Sequence, residues 1–175
     1  LIYWFHYEVI RKKYGDSAKL LFTDTDSLTY AIETEDLYTD MFNDRHLYDF
    51  SGYPHDHPCY DPTNKKVLGK MKDELSGVAV KSFCGLRAKM YSITDGTIEK
   101  KTAKGINRSV TEREITHANF EHTLFEGTSM THEMKRIYSR NHQLYSATIS
   151  KSSLSAFDDK HFILNDGIPT LAYGH

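Results

Sequence analysis

The chain has 175 residues, of which 39% are hydrophobic and 13% aromatic, a composition typical of folded rather than disordered proteins. Its net charge of −2 gives no indication of a polyanionic partner. No apolar run approaches the roughly 20 residues that span a bilayer, and no signal-peptide pattern is present. Cys59 and Cys84 have neither metal-ligand spacing nor a disulfide framework, which favours an intracellular protein with no membrane partner.

The first predicted element is an amphipathic helix over residues 2–14, which Gly15 ends. Because this helical pattern begins at Leu1 without an initiator methionine, we expect the chain to be a piece of a longer polypeptide. Two apolar runs, Lys19–Phe22 and Leu28–Ile32, then flank "TDTDS" and predict a β-hairpin with two aspartates at its tip.

A short helix through Phe42 is predicted next, with Thr34 as its N-cap and two acidic residues, Glu35 and Asp36, near its N-terminus. Residues 49–64 hold three of the four prolines and predict an irregular connection. The rest of the chain is dominated by strand patterns with one helix, Thr116–Phe125, closed by Gly127. The predicted strands are Lys66–Met71, Val78–Phe83, Leu86–Ile93 and Thr97–Ile106, followed by a hairpin of Glu133–Tyr138 and Gln143–Ile149 joined at "SRN". The predicted class is α+β.

Charge is divided unevenly along the sequence. From Asp24 to Asp61, ten acidic residues face a single basic one, Arg45, for a net charge of −9. From Lys65 to Arg113, twelve basic residues face five acidic ones, for a net charge of +7. An acidic segment followed by a basic one fits a cation site beside a surface that binds a polyanion, although surface charge also segregates without function.

Asp24 and Asp26 are the main candidate site residues. Two carboxylates this close repel each other unless a cation or donor groups compensate them. One interpretation is a surface turn in which short polar side chains bond the local backbone, and another is a metal site. An EF-hand loop starting at Asp24 is excluded, since Leu28 and Thr29 would occupy its fifth and sixth positions. A sugar-nucleotide transferase, which can hold its metal with D-x-D, remains an alternative.

Three motifs resemble those of family B DNA polymerases. T-D-T-D-S between hydrophobic arms is similar to motif C, a Tyr-x-Asp-Thr-Asp-Ser hairpin of the palm, with Phe22 replacing the usual tyrosine. Lys89-Met90-Tyr91 matches the later Lys-x-Tyr motif, and Lys104-Gly105 resembles a weaker signature that approaches the DNA minor groove. Further segments resemble the C-terminal part of the protein-primed polymerases of Maverick/Polinton transposons, namely "DFSGYPHDHPCYD", "RNHQLYS" and "GIPTLAYGH".

This resemblance implies a partial palm over residues 1–95, with the motif C hairpin packed on helices and a β-rich segment after it, and a thumb over 96–175. Asp26 would be the principal ligand of two catalytic Mg²⁺ ions, with Asp24 accessory. The implied reaction adds deoxynucleotides from their triphosphates to the primer of a primer–template DNA. A terminal priming protein and a nuclear location are implied by the same relatives.

The candidate DNA-binding residues are Arg87, Lys89, Tyr91 and Lys104. On the predicted strand Leu86–Ile93, the first three share one face and present two cations and a phenol to a phosphate or sugar. An amphipathic strand with its polar side in water is the alternative. The triplet His55-Asp56-His57 lacks a third ligand at suitable spacing and is interpreted as loop.

Motif A, whose aspartate completes the metal site, and motif B, whose lysine holds the triphosphate, both precede motif C in the family. Neither is found in this sequence, because "DFSGYP" at Asp49–Pro54 is one residue short of motif A and follows motif C. We therefore expect this chain alone to be inactive in DNA synthesis. A catalytically inactive, DNA-binding remnant is the alternative to an enzyme.

Overall fold

A computed structural model describes residues 1–157, 161–165 and 170–172. The chain forms two compact units, one over Leu1–Val80 and one from Lys81 onward, and each is described by itself. Both helices and small antiparallel sheets are present, which confirms the α+β class. Among the described residues, no helix is long and apolar enough to cross a membrane.

The first unit begins with the predicted helix, which is α-helical at Ile2–Trp4 (α1), π-helical at Phe5–Ile10 and α-helical at Arg11–Tyr14 (α2). It ends as predicted at Gly15, whose φ of 55° suits a residue without Cβ. The predicted hairpin follows, with β1 at Ala18–Asp24 and β2 at Ser27–Ile32. The two strands pair antiparallel in a two-stranded sheet.

The next helix, α3 at Leu37–Asn43, is capped by Asp36 and not by Thr34 as predicted. The Asp36 carboxylate accepts hydrogen bonds from the N–H groups of Tyr38 and Thr39 and from the Thr39 hydroxyl. These bonds, first among them the one from the Thr39 hydroxyl, lower the pKa of Asp36. The Thr34 hydroxyl donates instead to the Asp40 carboxylate.

The irregular connection 49–64 is confirmed, and it supplies much of the core of the first unit. That core is rich in aromatic side chains and contains Phe5, Ile10, Ala18, Tyr48, Phe50, Tyr53 and Cys59. The predicted strand Lys66–Met71 is wrong, because Lys66 and Gly69 both have positive φ and fold the segment into turns. Its single sheet-like contact is a parallel bridge between Tyr48 and Met71.

The second unit contains a three-stranded antiparallel sheet of β3 (Ser82–Arg87), β4 (Met90–Thr94) and β5 (Glu99–Ala103). The predicted strand Leu86–Ile93 is wrong as one element, because residues 88–89 form the turn between β3 and β4. The predicted strand Val78–Phe83 overlaps β3 only at its end, since β3 starts at Ser82. The predicted strand Thr97–Ile106 is present but shorter, as β5 at Glu99–Ala103. The sheet extends across residue 95 and lies in the compact unit that begins at Lys81.

Two helices follow this sheet. Arg108–Arg113 (α4) was not predicted, and its N-cap Asn107 makes no side-chain capping bond. The helix His117–Glu126 (α5) agrees with the predicted Thr116–Phe125 to within one residue at each end. Thr116 and Asn119 form a reciprocal capping box, and Gly127 ends the helix in the left-handed conformation.

A long antiparallel ribbon then joins β6 (Ser129–Arg140) to β7 (Gln143–Ser155), which confirms the predicted hairpin and extends it. Short strands β8 (His161–Ile163) and β9 (Thr170–Ala172) pair with each other. Part of the C-terminal segment "GIPTLAYGH", residues 167–169 and 173–175, lies outside the described residues. The core of the second unit contains Cys84, Leu86, Met90, Ala103, Val110, Ile115, Phe120, Met134 and Leu154.

Replacing Thr123 of α5 tests the packing of this core. Its side chain is fully buried, and its hydroxyl has no hydrogen-bond partner among the described residues. Because an unpaired buried hydroxyl costs about 1–3 kcal/mol, we expect Thr123→Val to raise the free energy of unfolding by about 1 kcal/mol in urea denaturation. Thr111→Val is the matched control and should lower it, since the buried Thr111 hydroxyl donates to the Asn107 carbonyl. A loss of stability in the Thr123 variant would contradict the unpaired state.

Candidate functional site

The two candidate metal ligands lie at the tip of the β1–β2 hairpin. Asp24 ends β1 and pairs with Ser27, the first residue of β2, so that Thr25 and Asp26 form a two-residue turn. Asp24 is half-buried, whereas Asp26 is exposed. We call Asp24, Thr25, Asp26 and Ser27 the carboxylate turn.

Hydrogen bonds within the carboxylate turn fix its backbone. The Asp26 N–H donates to the Asp24 carbonyl over 2.7 Å, a three-residue bond typical of a γ-turn. Thr25, at the centre, has a φ of 59°, which is unfavourable for a β-branched residue. The Thr25 hydroxyl donates to Asp24 Oδ1 over 3.1 Å, and the Ser27 hydroxyl donates to the Asp24 carbonyl over 3.2 Å. Backbone strain of this kind, at about 1–3 kcal/mol, is concentrated at functional sites in proteins.

The other end of the hairpin is anchored to the core of the first unit. Leu28, Tyr30 and Ile32 alternate along β2 and pack against that core. The Tyr30 hydroxyl lies 2.9 Å from His6 Nδ1, and the two rings stack at 5.9 Å. Burial raises the pKa of Tyr30 to about 12. The helix and the core thus hold β2, and β2 positions the carboxylate turn.

The carboxylate turn alone has too few ligands to enclose a metal ion. Among the described residues, no group of three or more His, Cys, Asp and Glu side chains is placed to hold a metal ion. Two carboxylates nevertheless suit Mg²⁺ in kind, since this ion takes one or two of them together with water and substrate phosphates. The type of side chain at Asp24 and Asp26 is therefore compatible with a Mg²⁺ site that water and substrate phosphates would complete.

In the second unit, two of the candidate DNA-binding residues lie side by side. After β5, the Ile106 N–H donates to the Ala103 carbonyl over 3.1 Å and closes a turn with Gly105 at a φ of 91°. This is the position at which a type II turn requires positive φ. The Lys104 N–H donates to the Lys89 carbonyl over 3.0 Å. The Lys-x-Tyr and Lys-Gly motifs are therefore adjacent at their lysines.

The prediction that one strand face carries Arg87, Lys89 and Tyr91 is wrong. Arg87 ends β3, Lys89 lies in the following turn with a φ of 58°, and Tyr91 belongs to β4. The Tyr91 ring stacks with Phe83 of β3 at 6.4 Å. The alternation expected for one strand fails because the chain reverses direction between Arg87 and Met90, which pair across the turn.

Two basic residues of the ribbon, which the sequence did not single out, converge on the same turn. Lys151 Nζ and Arg136 Nη2 both donate to the Gly105 carbonyl, over 3.0 and 3.4 Å. Within the described part of the chain, no carboxylate pairs with Lys104, Arg136 or Lys151. We call Lys89, Lys104, Gly105, Arg136 and Lys151 the basic turn. Arg136 and Lys151 share one neutral carbonyl, which leaves their positive charge available to an anion such as a phosphate.

Comparison of the chain with protein-family models, curated proteins and solved structures returns no match. The functional interpretation therefore depends on the two sites themselves.

Gly105→Ala tests the geometry of the basic turn. An alanine Cβ would lie 2.7 Å from Lys151 Nζ, at a φ that disfavours side chains. We expect Gly105→Ala to lower the free energy of unfolding by roughly 1–2 kcal/mol from backbone strain and also to displace Lys151. Gly127→Ala is the control, because its φ is also positive but nothing lies within 4 Å of its Cβ. Under the DNA-binding interpretation of Lys104, affinity for DNA should fall only in the Gly105 variant, and an equal fall in both would contradict this role of the turn.

Proposed function

We propose that this chain is part of a family B, protein-primed-type DNA polymerase, comprising the motif C portion of the palm and the thumb. The reaction is template-directed addition of a deoxynucleotide to the primer 3′ hydroxyl with release of pyrophosphate. The observation that carries the proposal is the D-T-D sequence in a tight, strained turn between two strands. It offers one exposed and one half-buried carboxylate.

In the proposed reaction, Asp24 and Asp26 would hold Mg²⁺, which supplies charge neutralisation at the attacking and leaving oxygens of an in-line displacement when bound. Exposed Asp26 is the principal ligand. Asp24 supports it through a carboxylate that the Thr25 hydroxyl holds in place. Catalysis by such a site is mainly positioning and electrostatic stabilisation.

The basic turn is proposed to bind the phosphate backbone of the primer–template. Lys89 and Lys104 come from the two motifs of the resemblance, and Arg136 and Lys151 add charge from the ribbon. Tyr91 and Arg87 contribute from the adjoining strands. Contacts with phosphates fix the register of a protein on DNA without reading its sequence, as a polymerase requires.

The complete enzyme, in this proposal, also uses a motif A carboxylate and a motif B lysine for the metal ions and the triphosphate. A terminal protein as primer and replication of a transposon in the nucleus follow from the same resemblance. A catalytically inactive remnant that still binds DNA is the second candidate, and the basic turn supports it equally. An upstream coding sequence with motif A would favour the enzyme.

The catalytic proposal is tested by Asp26→Asn in a polypeptide that joins this chain to the upstream motifs of its gene. We expect loss of nucleotide incorporation in primer extension with Mg²⁺, because an amide oxygen lacks the charge that the ion requires. Asp24→Asn should reduce incorporation to a similar or smaller extent. Asp16→Asn is the control, since Asp16 is exposed and lies outside the turn. Full incorporation by the Asp26 variant would disprove the assignment.

The DNA-binding proposal is tested on this chain alone by fluorescence anisotropy with a labelled primer–template across a salt series. Each phosphate contact contributes about 0.9 to the slope of log affinity against log salt concentration for duplex DNA. We therefore expect Lys104→Gln to make this slope less steep by about one unit. Lys12→Gln, which removes an exposed lysine of the first unit, should leave it unchanged. Primer extension by the isolated chain should be absent. A DNA affinity that does not change with salt concentration would contradict binding of phosphates by the basic turn.

A further inference from the structure

We propose that the outer part of the β6–β7 ribbon binds single-stranded DNA on one face, with bases packing on Tyr138 and Tyr145 between Arg136 and Arg140. The inference rests on the proposed function for the identity of the nucleic acid. It adds a second contact surface, distinct in chemistry from the basic turn.

The register of the ribbon defines this surface. Arg136, Tyr138 and Arg140 alternate along β6, so their side chains share one face. Their partners across the ribbon, which lie on the same face, are Ala147, Tyr145 and Gln143. We call these six residues the tyrosine face. The opposite face of the same stretch carries Ile137, Ser139, Leu144 and Ser146.

The tyrosine face continues outward from a part of the ribbon that is packed in the core. Met134, two residues before Arg136, is 4% exposed, and Ile149 packs against the same core. Beyond that point burial ends, since Ile137 and Leu144 are 78% and 76% exposed. The outer ribbon therefore presents both of its faces to solvent, and only one of them is aromatic and basic.

The two tyrosines form a preorganised stacking surface. They pair directly across the strands, with ring centroids 5.8 Å apart and an interplanar angle of 21°. Such a pair stabilises a ribbon by itself, but Tyr145 remains 47% exposed, which leaves aromatic surface available to a ligand. Unpaired bases stack on aromatic side chains with little regard to sequence.

Charge around the pair selects an anionic ligand. Arg136 and Arg140 flank the tyrosines at four residues' separation, about 13–14 Å along a strand. The ribbon, residues 129–155, holds four Lys and Arg residues but one acidic residue, Glu133, and Glu133 lies on the other face. Arg136 also donates to the Gly105 carbonyl, so the tyrosine face is continuous with the basic turn.

Alternating cations and aromatic rings fit a single strand better than a duplex. In a duplex the base faces are covered by neighbouring bases, so only its phosphates would engage this surface. In a single strand the bases reach the rings while the phosphates reach the arginines. The tyrosine face is therefore assigned to an unpaired segment of the DNA, and the basic turn serves phosphates of either form.

Fluorescence anisotropy of the 175-residue chain with a labelled oligothymidylate, and with a duplex of equal length, tests the proposal. We expect Tyr145→Ala to weaken binding of the single strand by about fivefold to a hundredfold, the effect of losing one base stack. Binding of the duplex should stay close to that of the unchanged chain. Tyr145→Phe, which keeps the ring, should bind the single strand normally.

Matched variants separate stacking, charge and folding. Ile137→Ala and Leu144→Ala remove equally exposed side chains from the opposite face and should leave single-strand affinity unchanged. Arg140→Gln should lower the salt slope for the single strand by about 0.7, whereas Tyr145→Ala should not alter it. Thermal melting by circular dichroism checks that each variant keeps the fold.

Normal single-strand binding by a folded Tyr145→Ala variant would overturn the inference, as would an equal loss in the opposite-face variants. If duplex binding persisted in that case, the proposed function would stand without the tyrosine face. Failure of the unchanged chain to bind either form of DNA would overturn both the DNA-binding part of the proposed function and the inference about the tyrosine face.

Discussion

The tight turn between β1 and β2, with Thr25 at a positive φ, is the constraint that the rest of the hairpin must support. Asp24 and Asp26 are separated by a single residue, and the turn that holds them forces Thr25 to a positive φ. Such a turn needs support from its strands, and β2 supplies it by packing alternate residues on the aromatic core. The bond between Tyr30 and His6 ties the same strand to the N-terminal helix. The backbone strain at Thr25 is therefore offset by packing of β2 on the core and by the bond between Tyr30 and His6, both away from the turn.

In the second unit, positively charged side chains gather around the carbonyl of Gly105. Gly105 allows a turn tight enough for its carbonyl to accept bonds from both Lys151 and Arg136. The same turn bonds to the backbone of Lys89. The side chains of Arg136 and Lys151 thus meet at the Gly105 carbonyl, beside the backbone of Lys89 and Lys104, at a position where a Cβ would obstruct Lys151. In the proposed polymerase, this concentration of positive charge is what the DNA backbone neutralises.

Residues that favour turns and helix ends were sufficient to predict the elements whose ends they mark. The β1–β2 hairpin, helix α5 with Gly127 after it, and the β6–β7 ribbon all have strong turn or stop residues at their ends. The N-cap of α3 was misplaced because Thr34 and Asp36 are both good capping residues, and only the helix start distinguishes them. The strand across Leu86–Ile93 failed because Lys89 adopts positive φ, which no residue type in that stretch indicates.

The candidate sites were predictable to different degrees for a related reason. The carboxylate turn is contiguous in sequence, so its spacing alone identified Asp24 and Asp26. The basic turn includes a hydrogen bond between residues 46 positions apart, Lys151 and Gly105. Its members Arg136 and Lys151 are ordinary basic residues of a ribbon until the fold brings them to Gly105. Their role depends on tertiary packing that strand periodicity does not encode.

The most direct test of the central claim is whether the carboxylate turn attracts a divalent ion in the folded chain. Titration of the isotope-labelled protein with Mn²⁺, followed by NMR, reports proximity to the ion through broadening of amide signals. We expect early broadening at residues 24–27, reversed by excess Mg²⁺ and abolished by Asp26→Asn. Broadening centred on another acidic segment, such as residues 36–44, with the turn unaffected, would contradict it.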